Sequence, residues 1–179
     1  MSEEREQRTR VRGPWLLGAG AVVIDQDRVL LVRNRYGATK GRYLLPAGRV
    51  EIGELPDRTA ERETWEETGL RVEVTGLLGV RIWVMENGTH NYFFMFQTRL
   101  ISPATDLHPN LEEIDDARFF TRAELAALGE DETWSGAIAV AYKALDDGQA
   151  SRQSGLWAND DTLSSDSGVA SSDHWRIWF

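Results

Sequence analysis

Cysteine is absent from the 179 residues, which removes disulfides, thiolate metal sites and cysteine nucleophiles from consideration. Folding must therefore rest on the core. Histidine is scarce: His90, His108 and His174 stand in no metal-ligand or triad spacing, so all three read as structural or surface residues. No window approaches the roughly 18 apolar residues of a membrane span. Residues 1–12 alternate glutamate with arginine where a signal peptide would be apolar. A cytoplasmic location with no membrane partner is the expectation. Basic residues are the minority, 20 against 29 acidic, and the net charge of -9 repels a polyanionic duplex, so no nucleic-acid partner is expected. Phosphorylated small molecules remain open, because a bound divalent cation reverses the local sign of an acidic pocket.

What is present suits one domain, since 41% hydrophobic residues in a chain of this length can bury a single core. The reading divides the chain into a flexible charged N-terminus (1–13), a domain (14–148), and a Ser/Asp/Gly-rich tail with an aromatic end (149–179). Leu16 to Ile24 and Val29 to Val32 read as two buried strands joined by a turn at Asp25-Gln26-Asp27. A polar loop follows from Asn34 to Arg42. From Leu55 the pattern becomes helical, with Pro56 in the first turn and Gly69 at a left-handed C-cap. Asn87-Gly88 separates alternating strands at Val72 to Val84 and Tyr92 to Phe96. Asp116 to Phe120 reads as a further strand. Thr121-Arg122-Ala123-Glu124 has capping-box spacing and opens a short helix, and Trp134, Ile138, Ala141, Tyr142 and Leu145 mark another helix ending near Gly148. Helices covering a mixed sheet are the expected α/β architecture. Trp157 and the terminal Trp175 to Phe179 are costly to leave in water, which predicts that the tail docks on its own domain or on a second subunit.

The chemistry concentrates between Gly48 and Leu70. On a helix Glu63, Glu66 and Glu67 stand at i, i+3 and i+4 and share one face. Taken alone they would read as a solvated acidic face. Arg62 neutralises part of their charge, and a hard divalent cation accepting carboxylate oxygens would turn the repulsion into a ligand cage. The preceding loop favours the cage. Pro46-Ala47-Gly48 is expected as a tight turn aiming a carbonyl at a metal, and Glu54 returns a carboxylate that can pair with Arg62.

This stretch resembles the Nudix box: glycine, five residues, Glu, seven residues, then Arg-Glu-hydrophobic-any-Glu-Glu-any-Gly-hydrophobic. All seven fixed positions match, as Gly48, Glu54, Arg62, Glu63, Glu66, Glu67 and Gly69. At a frequency of roughly 7% each, the coincidence is on the order of 10⁻⁸ per window. Thr64 replaces the usual aliphatic residue and Ala47 a common glycine; neither change removes a ligand. The resemblance to this MutT-like family implies an α/β/α sandwich with a central mixed sheet. It implies magnesium, with manganese as a substitute, on Glu63, Glu67, Glu66 and the Ala47 carbonyl. Arg62 and Glu54 would be the structural pair. An acidic loop, Leu111 to Asp116, resembles the one from which many members take a further carboxylate, and Glu113 is chosen over Glu112 and Asp116.

The implied reaction is hydrolysis of the diphosphate linkage of a nucleoside diphosphate joined to another moiety, by in-line attack of water with Glu113 or Glu66 as base. Arg33, Arg35 and Arg81 are candidates for the substrate's phosphates, and Trp83, Tyr92 or Phe94 for stacking a base. No proline lies about 15 residues beyond the box, as in ADP-ribose pyrophosphatases, and no coenzyme A signature precedes it. Leu45 to Glu51 resembles members acting on oxidised nucleotides, with ordinary nucleoside di- and triphosphates also open. A homodimer is expected from the family and the tail. The competing reading is a nucleotide-sensing Nudix-like module without catalysis. Such modules often lose box glutamates, which this chain retains. An isomerase on the same fold would need its own acid and base, and the lack of cysteine weighs against it.

Overall fold

The computed structural model describes residues 14–147 and 175–178. Strands β1 (Trp15–Asp25) and β2 (Arg28–Asn34) form an antiparallel pair. They turn through Gln26 and Asp27, both at positive φ, as a two-residue hairpin requires. Two short strands follow, β3 (Tyr43–Leu44) on β2 and β4 (Ala47–Arg49) on β1. Helix α1 spans Pro56–Thr68, with proline in its first turn and Gly69 as its left-handed cap. Strands β5 (Val72–Val84) and β6 (His90–Leu100) are the expected long hairpin, closed near Gly88 at φ 78. A short 3-10 turn at Ala104–Asp106 precedes β7 (Ile114–Thr121), which pairs with β2. The capping box at Thr121 and Glu124 opens α2 (Arg122–Ala127), and α3 spans Ser135–Asp147. Finally β8 (Trp175–Trp178) pairs antiparallel with Val80 to Trp83 of β5.

The eight strands run in the order β3-β2-β1-β6-β5-β8, with β4 on β1 and β7 on β2. The β1–β6 pair is parallel, so the sheet is mixed. Strand alternation divides the core. Ala19, Ala21, Val23 and Leu30 turn to one face and pack with Ala60 of α1. Val22, Leu31, Met95 and Phe120 turn to the other and pack with Val140, Ala141 and Ala144 of α3. The small residues of β1 bring its backbone close to α1, and a helix on each face makes the α/β/α sandwich.

The terminal strand lies on the chain's own domain, one of the two dockings expected for the tail. The rest of the tail, with Trp157, and residues 1–13 lie outside the described residues. No helix among the described residues is long and apolar enough to cross a membrane.

Candidate active site

Pro46-Ala47-Gly48 is not the tight turn expected from its composition. Ala47 to Arg49 are extended and pair with Gly18 to Gly20 of β1. Gly20 has room for this because a Cβ there would meet the Ala47 Cβ at 2.9 Å. The Ala47 N–H points away from β1 and donates to Glu67 Oε2 at 3.0 Å. In an extended residue the carbonyl points to the same side as the N–H. The Ala47 carbonyl thus lies on the α1 side of β4, and a strand rather than the expected turn sets its direction.

Helix α1 presents its acids along the outer edge of β4. Glu67 is 7% exposed and Glu63 half-buried. Glu63 lies so close to β4 that a Cβ on Gly48 would meet its Oε1 at 1.9 Å. Arg62 ties the cluster together, reaching Glu54 at 2.8 Å, Glu63 at 2.8 Å, Glu66 at 2.9 Å and the Arg49 carbonyl at 3.2 Å. Glu54 also accepts from Thr59 and from the Glu51 N–H. This network, led by the Arg62 hydrogen bonds, holds the Glu54 carboxyl down at about 2 and raises the Arg62 guanidinium above its ordinary value. Thr64 is fully buried with its hydroxyl donated to the Ala60 carbonyl, so replacing the usual aliphatic residue leaves no polar group unmet.

Among the described residues Glu67 has no such cation. Burial pushes its carboxyl up to about 8; the Ala47 N–H opposes this, while the fields of Glu63, Glu113 and Glu66 add to it. Burial likewise raises Glu63, against the pull of Arg62.

Glu113 reaches this field because its loop is fastened to the helix end. His108 N–H donates to the Thr68 carbonyl at 2.9 Å and Asn110 N–H to the Glu67 carbonyl at 3.0 Å, meeting carbonyls that the last helical turn leaves open. Arg35 fixes the loop's other side, its N–H on the Glu113 carbonyl and its guanidinium on the Leu111 carbonyl and near Asp115. Asp116 is engaged elsewhere, accepting from the Tyr43 hydroxyl; Glu112 and Glu113 are both exposed, and the charge of Glu113 is the one that reaches Glu67 and Glu63. Sequence reasoning missed Tyr36. The negative charge of Glu113, with desolvation and smaller contributions from Glu67 and Glu63, raises its hydroxyl above the ordinary value. A lone tyrosine in a polar loop carries no spacing signal.

Among the described residues no three acidic or histidine side chains converge into a ready-made metal site. Glu63 and Glu66 are turned onto Arg62 instead. The donor set still fits a hard divalent cation: every available group is an oxygen, and the most buried carboxylate lacks a positive partner.

Behind β4, on the α3 face, lies a cavity of about 310 Å³ walled by Gly18, Leu45, Gly48, Arg81, Phe93 and Trp134, among others. Of the three candidate arginines it holds Arg81 alone. Arg33 lies over Tyr43, and Arg35 serves the loop. Trp83, Tyr92 and Phe94 are not in its wall: Trp83 is partly exposed, Tyr92 stacks on Trp15, and Phe94 packs with the α1-side core. Phe93 and Trp134 stand in the wall instead. The alternation of β6 could have separated Phe93 from its neighbours had the direction of each face been known.

The Nudix domain model matches residues 14–140. A MutT-like protein of Streptomyces ambofaciens is 47% identical over 62 residues, which cover 35% of this chain and 38% of that one. A Nudix hydrolase of Listeria monocytogenes is 31% identical over 140 residues, covering 72% of this chain and 81% of its own. The solved structure of a Nudix hydrolase from Nitrosomonas europaea superposes with a TM-score of 0.63 at 26% identity, over 75% of this chain and 90% of that one. The box residues, the sandwich that carries them and the reach of these matches agree, and the chain belongs to the Nudix family of hydrolases.

Proposed function

We propose that this chain hydrolyses the diphosphate linkage of a nucleoside diphosphate joined to another moiety, with magnesium as its cofactor and manganese able to replace it. One observation carries the reading: Glu67, 7% exposed, sits among Glu63, Glu66 and Glu113 with a backbone N–H as its hydrogen-bond partner and no cation. A carboxylate buried beside like charges is destabilising unless a cation joins it. Glu63, Glu67, Glu66 and the Ala47 carbonyl would hold that cation. When bound, divalent cations neutralise phosphate charge and lower the pKa of attacking water.

The protein's own groups do the rest. Arg62, fixed by Glu54, keeps Glu63 and Glu66 over the edge of β4. Glu113 supplies the carboxylate on the facing loop that accepts the proton of the attacking water, with Glu66 as the other candidate. The strand Ala47 to Arg49 separates this acidic edge from the cavity, so a substrate crossing Gly48 places its phosphates at the acids and its remaining part in the cavity.

The test is product formation from nucleoside di- and triphosphates, oxidised nucleotides, ADP-ribose, dinucleoside polyphosphates and nucleotide sugars, each with and without magnesium. Metal-dependent cleavage at kcat/KM of about 10⁴ M⁻¹s⁻¹ or above is expected for one group. No cleavage of any by folded, metal-loaded protein overturns the proposal.

A further inference from the structure

Among the described residues Arg81 is a cation without an anion: no carboxylate lies within ion-pair distance of it, and burial alone lowers its guanidinium to about 10. One protein acceptor serves it: Nη2 donates to Asn91 Oδ1 at 2.8 Å. Its Nε is the one buried side-chain polar atom among the described residues with no hydrogen-bond partner. Orphaned buried donors are rare in folded proteins, so this one calls for a partner.

The surroundings are built rather than incidental. The guanidinium carbon lies 5.1 Å from the Phe93 ring centroid and 4.9 Å from that of Trp134. Each ring is seated on a glycine. A Cβ at Gly18 would meet Phe93 Cδ2 at 2.8 Å, and one at Gly136 would meet Trp134 Cη2 at 2.0 Å. Gly18, Phe93 and Arg81 also form one row across β1, β6 and β5, so strand register sets the arrangement.

Two ring faces compensate the positive charge through their quadrupoles. What remains unfilled is hydrogen-bonding capacity in the guanidinium plane. A terminal phosphate is a poor match, because a dianion in a mostly apolar cavity needs several donors and Arg81 already shares one with Asn91. A flat ring offering a neutral carbonyl beside a ring nitrogen matches both the shape and the chemistry, as guanine does with O6 and N7. Adenine places an amino donor where that carbonyl would be.

We infer that Arg81, held between Phe93 and Trp134, reads a ring carbonyl of the substrate's base, so that the cavity takes guanine-type bases in preference to adenine. The inference rests on the proposed hydrolysis of nucleotide substrates and assigns the base class to the same site.

Calorimetric titration of the full chain, without metal, uses GMP, IMP, AMP, 2-aminopurine ribonucleoside monophosphate and ribose 5-phosphate. GMP and IMP are expected to bind about tenfold or more tightly than AMP and the 2-aminopurine analogue, within the range of a bidentate arginine–guanine pair. Arg81→Gln is expected to abolish that difference and to leave AMP binding nearly unchanged. Equal affinities for GMP and AMP in the wild type overturn the inference, as does failure of every base to bind. So does an Arg81→Gln loss that is the same for ribose 5-phosphate as for GMP, which would make Arg81 a phosphate contact. The wild-type series decides the matter even if the variant does not fold. Magnesium-dependent hydrolysis indifferent to the base would remove this inference and leave the hydrolase; carbonyl-dependent binding without any hydrolysis would do the reverse.

Discussion

The N–H of Ala47 donates to Oε2 of Glu67 across 3.0 Å, joining the extended strand after the core hairpin to the last turn of the acidic helix. Through this bond the protein holds the most buried carboxylate among the described residues, and the bond favours the anion against the burial that raises its pKa. Ligation needs the anion, whereas burial favours the acid.

With chelator present, the Glu67 carboxyl at about 8 lies above its ordinary 4.5, so the fold keeps a proton that the unfolded chain releases between these values. The stabilisation is complete below about pH 4.5 and is lost as pH rises through about 8, at no more than about 1.4 kcal/mol per pH unit. Glu67→Gln should flatten this slope and raise metal-free stability near pH 8. It should also cut turnover by about a hundredfold or more, because a proposed metal ligand is gone. Thermal melts from pH 5 to 9 would show it; equal slopes in both proteins, or near-normal turnover in the variant, would contradict the assignment.

Glu54 titrates in the opposite sense. The Glu54 carboxyl, held at about 2, contributes stability that is complete above about 4.5 and lost as pH falls toward 2. Glu54→Gln leaves Arg62 partly unpaired at a half-buried site and should cost about 2 kcal/mol at neutral pH. Denaturant titrations at pH 7 and pH 3 test this. The wild type and variant should differ at the first and converge toward the second.

Much of this was legible in the sequence, because the box encodes local geometry. The spacing of Glu63, Glu66 and Glu67 defines a helix face, Pro56 and Gly69 mark its ends, and Asn87-Gly88 marks a hairpin. The parallel pairing of β1 with β6 was not legible, since it joins residues about 75 positions apart with no local signal. Pro46-Ala47-Gly48 misled because glycine and proline usually mark turns. Here small residues serve close approach, of β4 to β1 and of Glu63 to β4. Arg81 could be named as a candidate, but its cage could not. Phe93 reaches Arg81 through strand register and Trp134 through the chain entering α3, two distant segments that meet at one side chain.

Gly48→Ala tests that close approach directly. Its Cβ would overlap the Glu63 carboxylate, which Arg62 pins from the other side. The backbone of β4 can accept alanine, so folding should survive while Glu63 is displaced. Turnover should fall about 10- to 100-fold, the range for disturbing the supports of a metal site, with a matching loss of metal affinity. Unchanged magnesium dependence of activity would show that Glu63 need not sit against β4.

Truncation after residue 174 removes β8 and leaves the backbone of Val80 to Trp83 as an open sheet edge. Open edges template pairing with other chains, so the shortened protein should associate more strongly at high concentration than the full chain. Its melting temperature should fall by a few degrees, as about 1 kcal/mol shifts a chain of this size by roughly 2–4 °C. Arg81 lies within the uncovered span, whereas Glu63, Glu66 and Glu67 lie beyond β4 on α1. Loosening the edge should therefore raise KM more than it lowers kcat. Sedimentation, melting and steady-state kinetics on the two proteins check each consequence. If all three are unchanged, the terminal strand does not occupy this edge in solution.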